Sequence, residues 1–336
     1  MSAIRGVLRS LRTTVDLIRA RTGSADLAVF HDFMPAPYGG GHQFLRALCK
    51  EIAQRGFVLE NNRIAAGTPA CLYNGFNFDF DRIRRFAREG CRMVHRVDGP
   101  VAVYRGADDG TDRRIWKINR DLADATIFQS HYSLGRHQQM GLAFVNPVVV
   151  HNAADPDVFH ATRRAPFSKG RRTKVIAVSW SDNANKGAAT YAWLERHLDW
   201  ERFEITFVGR SRIAFDRIRT IPPVPSAELA ALLRDHDIFI TASRHESCSN
   251  SLVEALSCGL PAIYVESGSN AELAGDAGFA FAENEQIPEL LQRLVDDYEQ
   301  RQSVICVPTL RHVADCYLEV LELPSGLCST NPCCPP

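Results

Sequence analysis

Apolar positions along this 336-residue chain follow two alternating rhythms. Short, nearly continuous apolar runs such as LAVF (27–30), VIAV (175–178), DIFIT (237–241) and PAIYV (261–265) have the length and branched character of strands buried on both faces. Between them apolar residues recur at steps of three and four, as in HQFLRALCKEIAQRG (42–56) and AELAALLRDH (227–236), the period of a helix with one buried face. The same reading predicts further strands in ACLYNGF, CRMVHRVDGP, ATIFQSH, PVVVHNA and FEITFVGRS. Helices are predicted over 80–89, about 112–122, YSLGRHQQMG, ATYAWLERHL, SLVEALSCG, about 286–302 and about 308–322.

Strands alternating with helices imply parallel sheets. The rhythm breaks once, at the basic, Pro- and Gly-containing segment HATRRAPFSKGRRTK (160–174), which reads as a linker. The expected organisation is a basic amphipathic helix over 1–22, a Rossmann-like domain over 23–165 and a second Rossmann-like domain over 172–305. A helix at 306–323 and a disordered tail at 324–336 follow. The fold class is therefore α/β, two parallel-sheet domains facing a central cleft. Within residues 3–21, Ile4, Val7, Leu8, Leu11, Val15 and Ile18 share one face beside five arginines and one aspartate. Three readings stand for it: packing on the adjacent domain, contact with an anionic membrane surface, or, third, an Arg-rich transit peptide.

Composition narrows the field. Thirty-nine Lys and Arg balance thirty-nine Asp and Glu, so no net charge argues for nucleic acid. No run approaches the roughly 18 apolar residues of a membrane span, and Arg5, Arg9 and Arg12 interrupt any signal-like segment, which leads us to expect a cytoplasmic protein, peripheral to a membrane at most. The ten cysteines lack metal spacing and sit largely in apolar segments, so free thiols are expected.

Ligands of parallel sheets bind beyond the carboxyl ends of strands, and four polar segments lie at such ends. In PAPYGGG (35–41), Gly39, Gly40 and Gly41 allow close backbone approach and lead into a helix N-terminus suited to an anion or a sugar hydroxyl. The spacing fits neither a Walker A loop nor a dinucleotide fingerprint, and a simple flexible turn is the other reading. In CRMVHRVDGP, His95, Arg96 and Asp98 form either a binding cluster or an Arg96–Asp98 structural pair. In SWSDNANKG (179–187), Lys186 near a helix start opposes the helix dipole unless both face a phosphate. Finally, in HESCSNSLVE, Glu246 and Glu254 bracket small polar residues. Ser251-x-x-Glu254 fits a capping box, with Ser249 or Asn250 as alternative caps. The functional reading has the amides of Asn250, Ser251 and Leu252 facing a diphosphate and Glu254 accepting from a ribose diol.

Together these segments resemble the family 4 retaining glycosyltransferases of the GT-B fold, over about residues 26–323. The most specific mark is E-x7-E, here Glu246 to Glu254, followed by ALSCGLPAIY, which matches A-x-x-x-G-x-P. The glycine loop, HNAADPDVF, Lys186-Gly187, FVGRS and AELAALLRDHDIFITAS occur in the family's order. The resemblance implies a nucleotide-diphosphate sugar as donor and a carbohydrate or lipid-linked acceptor, in cell-surface polysaccharide or glycolipid synthesis, with no cofactor and no metal. It implies Glu254 on the ribose, Glu246 on the transferred sugar, Lys186 on the diphosphate and the glycine loop over the phosphates. His95 is a candidate for contacting donor sugar or acceptor, and the last helix is implied to cross back onto the first domain. Two departures stand out. No arginine stands in VSWSDNANKG, where the family carries one a few residues before the lysine, so Arg210 or Arg96 is the expected substitute, and Ser249 occupies a usual glycine position. The alternatives are a non-catalytic nucleotide- or carbohydrate-binding protein and, on the same scaffold, a nucleotide-sugar epimerase or an inverting transferase.

Overall fold

The computed structural model describes residues 25–34, 39–75, 78–87 and 89–324. The segment expected to form the basic N-terminal helix, all of PAPY (35–38) in the glycine loop, and the tail cysteines Cys328, Cys333 and Cys334 lie outside these residues. The first domain contains β1 (Leu27–Phe30), α1 (Gly40–Gln54), β2 (Leu59–Asn61), β3 (Ala70–Asn74), α2 (Phe80–Phe86), β4 (Arg92–Val97), α3 (Val101–Arg105), α4 (Thr111–Leu122), β5 (Ala125–Phe128), α5 (His131–Gln139) and β6 (Pro147–Val149). The second contains β7 (Thr173–Ser179), α6 (Ala188–His197), β8 (Phe203–Gly209), β9 (Arg219–Ile221), α7 (Ser226–Asp235), β10 (Ile238–Thr241), α8 (Asn250–Ser257), β11 (Ala262–Val265), α9 (Asn270–Ala274), β12 (Gly278–Phe281), α10 (Ile287–Asp296) and α11 (Tyr298–Ser303).

Each domain has one six-stranded sheet, ordered β2-β1-β3-β4-β5-β6 and β12-β11-β10-β7-β8-β9. The pairs are parallel throughout, for example Leu27 beside Ala70 and Val175 beside Ile205. The apolar runs sit in the central strands because both faces are covered. Along β1, Leu27 and Val29 enter the core beneath α1, while Ala28 and Phe30 enter the core beneath α2 and α4. Along β7, Val175 and Ala177 face one layer and Ile176 the other. Edge strands β2 and β9 and the short β12 and α3 escaped the apolar pattern, since three- to five-residue elements span barely one period. The helix expected over 286–302 is two helices, α10 and α11, meeting at Asp297.

The last helix, α12 (Leu310–Val320), leaves the second domain and packs on α1. Leu310, Val313, Ala314, Tyr317 and Leu318 complete the first-domain core beside Leu45 and Leu48. The basic linker is itself anchored. Arg171 makes a two-pronged ion pair with the buried Asp237 (2.7 and 2.8 Å), and Phe167 stacks on Tyr298 with ring centroids 4.0 Å apart. All cysteines among the described residues are free thiols, and among those residues no helix is long and apolar enough to cross a membrane.

Candidate active site in the interdomain cleft

In both sheets the strand order reverses beside the first strand of the domain, between β1 and β3 and between β7 and β10. A crevice opens at such a reversal because the adjoining connections run to opposite faces. The loops after β1, β7 and β10 carry the glycine loop, Lys186 and Glu246. They meet across a cavity of about 530 Å³ between the domains.

The second-domain wall is built around α8. Ser249 is its N-cap, and Leu252 and Val253 both donate their amides to the Ser249 carbonyl. The amides of Asn250 and Ser251 therefore form the open end of the helix. This settles the capping question: Glu254 is the fifth residue of the helix, so no Ser251–Glu254 box forms. Ser249 Oγ lies 3.4 Å from Ser251 Oγ instead, and both line the cavity with Asn250. Leu252 was expected to contribute its amide. That amide is engaged within the helix and its side chain is fully buried in the core, so Leu252 is not part of the site.

Glu254 lines the cavity one helical turn further in. Among the described residues nothing hydrogen-bonds its carboxyl group, and burial raises its pKa to about 8. An apolar slot of Val178, Val208, Pro223, Val224 and Leu229 lies in the same cavity. Lys186 ends a 3-10 turn before α6, and its Nζ stands 2.5 Å from Glu246 Oε1. Burial opposes the Lys186 charge, but Glu246 outweighs it and the pKa is raised.

Gly39, Gly40, Gly41 and Asp98 form the opposite wall. The approach is tight at Gly40, where a Cβ would lie 2.6 Å from that of Asn250. Asp98 takes both roles that its segment suggested: it lines the cavity and pairs with Arg96 at 3.1 Å. Arg96 itself is fully buried. It donates to Asn74 (2.9 Å), to Asn152 Oδ1 (3.1 Å) and to the Tyr317 hydroxyl (3.1 Å). Asn152 in turn donates to Gln129 Oε1 and Asn250 Oδ1, each at 3.0 Å, bridging the domains.

Three further expectations are corrected. Arg96 supplies no charge to the cavity, because β4 turns it into this buried network. Arg210 does not either: it lies over the Trp180 indole at 4.6 Å, donates to the Trp180 carbonyl and is exposed outside the cavity. Among the described lining residues Lys186 is the one lysine or arginine. His95 is fully buried within β4, stacked on Tyr73 (4.2 Å) with Asn119 on its Nδ1, and burial lowers its pKa to about 3. Strand alternation turns it away from the cleft that Asp98 reaches. Sequence reasoning missed Trp180, Gln129, Asn152 and His42, which all serve the cleft or its bridge. Of these, Asn152 and Trp180 lay inside quoted motifs, whereas no spacing signals the others. Among the described residues no three His, Cys, Asp or Glu side chains come together as a metal cluster.

Comparison with known proteins follows the same division. The sequence model of the family "Glycosyl transferases group 1" matches residues 212–305, which contain both Glu246 and Glu254. A comparison by sequence with curated proteins finds no match. Among solved structures, sucrose-phosphate synthase from Thermosynechococcus elongatus superposes with a TM-score of 0.69 at 13% identity, over 89% of this chain and 98% of that one. HepE of Anabaena, in complex with UDP and glucose, gives 0.67 at 14% identity, over 88% and 99%. The catalytic domain of starch synthase IV from Arabidopsis thaliana, bound to ADP and acarbose, gives 0.62 at 10% identity, over 89% and 99%. At these identities the likeness is one of fold, and that fold is the two-domain GT-B architecture.

Proposed function

We propose that the protein is a retaining glycosyltransferase that moves a sugar from a nucleotide-diphosphate sugar to an acceptor hydroxyl without a metal. The observation that carries this reading is the Glu254 carboxyl group, unpartnered among the described residues, in one cavity with the Lys186–Glu246 pair. The match of the second domain to group 1 glycosyl transferases supports it, as does the nucleotide bound in two similar structures.

In this reading the base lies in the apolar slot and the ribose diol donates to Glu254. The diphosphate faces the open end of α8, the Ser249 and Ser251 hydroxyls, and Lys186. As the glycosidic bond breaks, negative charge grows on the leaving diphosphate. Lys186 and the helix amides are already aimed at it, which lowers the barrier without reorganisation. Lys186 and the helix end thereby take the part of a cation. Glu246 holds Lys186 and contacts the transferred sugar. The departing phosphate accepts the acceptor proton, so no separate base is required. The acceptor, a carbohydrate or a lipid-linked carbohydrate of cell-surface polysaccharide or glycolipid synthesis, enters beside Asp98 and the glycine loop. The reaction takes place in the cytoplasm or at the inner membrane face.

Two substitutions test the roles. Glu254→Ala is expected to weaken nucleotide diphosphate binding by at least about tenfold, the loss of a charged hydrogen bond. Glu246→Ala is expected to lower kcat by about 10²–10³ with a smaller effect on binding. NMR of the product anomer tests retention, and activity persisting in excess chelator tests metal independence. Wild-type behaviour of both variants would overturn the assignment.

A further inference from the structure

Two contacts between the domains, made by residues outside the cavity lining, lie at or behind the segment that carries Glu246. Helix α5 starts at His131 in the first domain, where its leading amides have no partner within the helix. One carboxylate of the second domain takes both. His131 N donates to Glu272 Oε2 at 2.8 Å, and Tyr132 N donates to Glu272 Oε1 at 2.7 Å. His151 Nε2 stands 3.2 Å from the same carboxylate. A negative charge at the start of a helix also meets the positive end of its dipole. Burial works against the Glu272 charge, yet His151 and the two amides outweigh it and hold its pKa low. The second contact comes from the adjacent side chain: the Tyr132 hydroxyl lies 3.1 Å from His245 Nδ1.

His245 precedes Glu246 and has φ +60°, a conformation that a residue with a side chain adopts at a cost. Its surroundings hold it there. The His245 amide donates to Ser267 Oγ (3.1 Å), and Ser269 N donates to the Glu246 carbonyl (3.0 Å). Gly268 between them has φ +66°, and a Cβ on it would lie 2.6 Å from Glu246 N. Ser269 is the N-cap of α9, the helix that bears Glu272. One short stretch of the second domain thus backs Glu246 directly and receives the first domain through Glu272.

We infer that Glu272 and Tyr132 are positioning residues that couple closure of the two domains to the setting of Glu246. The start of α5 docks on Glu272 and His245 when the cleft is shut. The strained segment is then held with Glu246 against Lys186. With the cleft open, both contacts are broken and the segment relaxes, so a bound donor meets an incomplete site and is spared hydrolysis. The effect on turnover rests on the transferase reading above, whereas the mechanical coupling does not.

Tyr132→Phe removes one hydroxyl, and Glu272→Gln keeps the shape but removes the charge. Hydrogen exchange of the intact protein without ligand needs no substrate. Residues 243–249 and the start of α5 are expected to exchange about five- to tenfold faster in each variant, with β7 and β10 unchanged. With donor and acceptor, kcat is expected to fall by a similar factor while donor KM stays within about twofold. Unchanged exchange over 243–249 in both variants overturns the coupling whatever the enzyme does. Faster exchange everywhere marks a merely structural role and overturns it too. Faster local exchange with undiminished kcat overturns its link to turnover. A wild-type protein that turns over no nucleotide sugar overturns the transferase reading and leaves the exchange result to decide the coupling.

Discussion

Glu254 combines burial with a missing partner, and its titration follows from that. In the ligand-free protein burial keeps its proton on up to about pH 8, against 4.5 for an ordinary glutamate. Between these values the folded form holds a proton that the unfolded form has lost, so this group lowers stability progressively as pH rises from about 4.5 to 8. Glu254→Gln is therefore expected to stabilise the ligand-free protein at pH 8 relative to wild type and to leave it little changed at pH 4.5. Because the carboxyl group is partly open to the cleft, the gain is at the low end, about 1–2 kcal/mol, measured by urea unfolding at the two pH values. In the proposed binding mode ribose hydroxyls donate to the ionised form, so wild-type nucleotide affinity should rise with pH through about 8 and binding should release a proton. A flat affinity profile between pH 6.5 and 9 would contradict ribose binding at Glu254.

At the scale of elements, the site is made by helix starts and strand ends brought to one place. The glycine loop and α8 meet so closely that their residues are not interchangeable. Gly40→Ala drives a methyl group into Asn250, while a Cβ on Gly41 meets nothing within 4 Å. Gly40→Ala is thus expected to hold the domains apart and lower kcat by about tenfold or more, and Gly41→Ala to be nearly neutral. Equal activity of the two would show that the contact does not govern closure. The same close approach explains why three consecutive glycines were legible as a site in the sequence, although only one of them is sterically required against the partner wall.

For the whole molecule, the last described helix returns from the second domain to the first. Helix α12 supplies five buried apolar or aromatic side chains, from Leu310 to Leu318, and its C-cap Leu321 a sixth, to a core whose strands lie in the first half of the chain. Its Tyr317 hydroxyl also satisfies the buried Arg96. Leu318→Ala is expected to destabilise the first domain by about 2–5 kcal/mol, read as an earlier unfolding transition for that domain. A shift confined to the second domain would contradict the packing. Packing on the first domain, this helix keeps the two cleft walls opposed.

By itself the sequence determined the alternation of strands and helices, because buried parallel strands and one-faced helices leave different apolar periods. It also determined the cleft segments that carry Glu246, Glu254, Lys186 and Gly39–Gly41, since polar residues at strand ends and helix starts stand out against an apolar background. Composition and spacing leave other properties open. Whether His95 and Arg96 face the cleft or the core depends on which side of β4 each residue occupies relative to neighbouring strands. Whether Arg210 serves a phosphate or stacks on Trp180 depends on where a loop 30 residues away comes to rest. Tyr132 and Glu272, 140 positions apart, become partners only when two separately formed domains meet. Only the tertiary structure decided these, because burial and pairing are properties of surfaces that come together, and no local period in the chain records them.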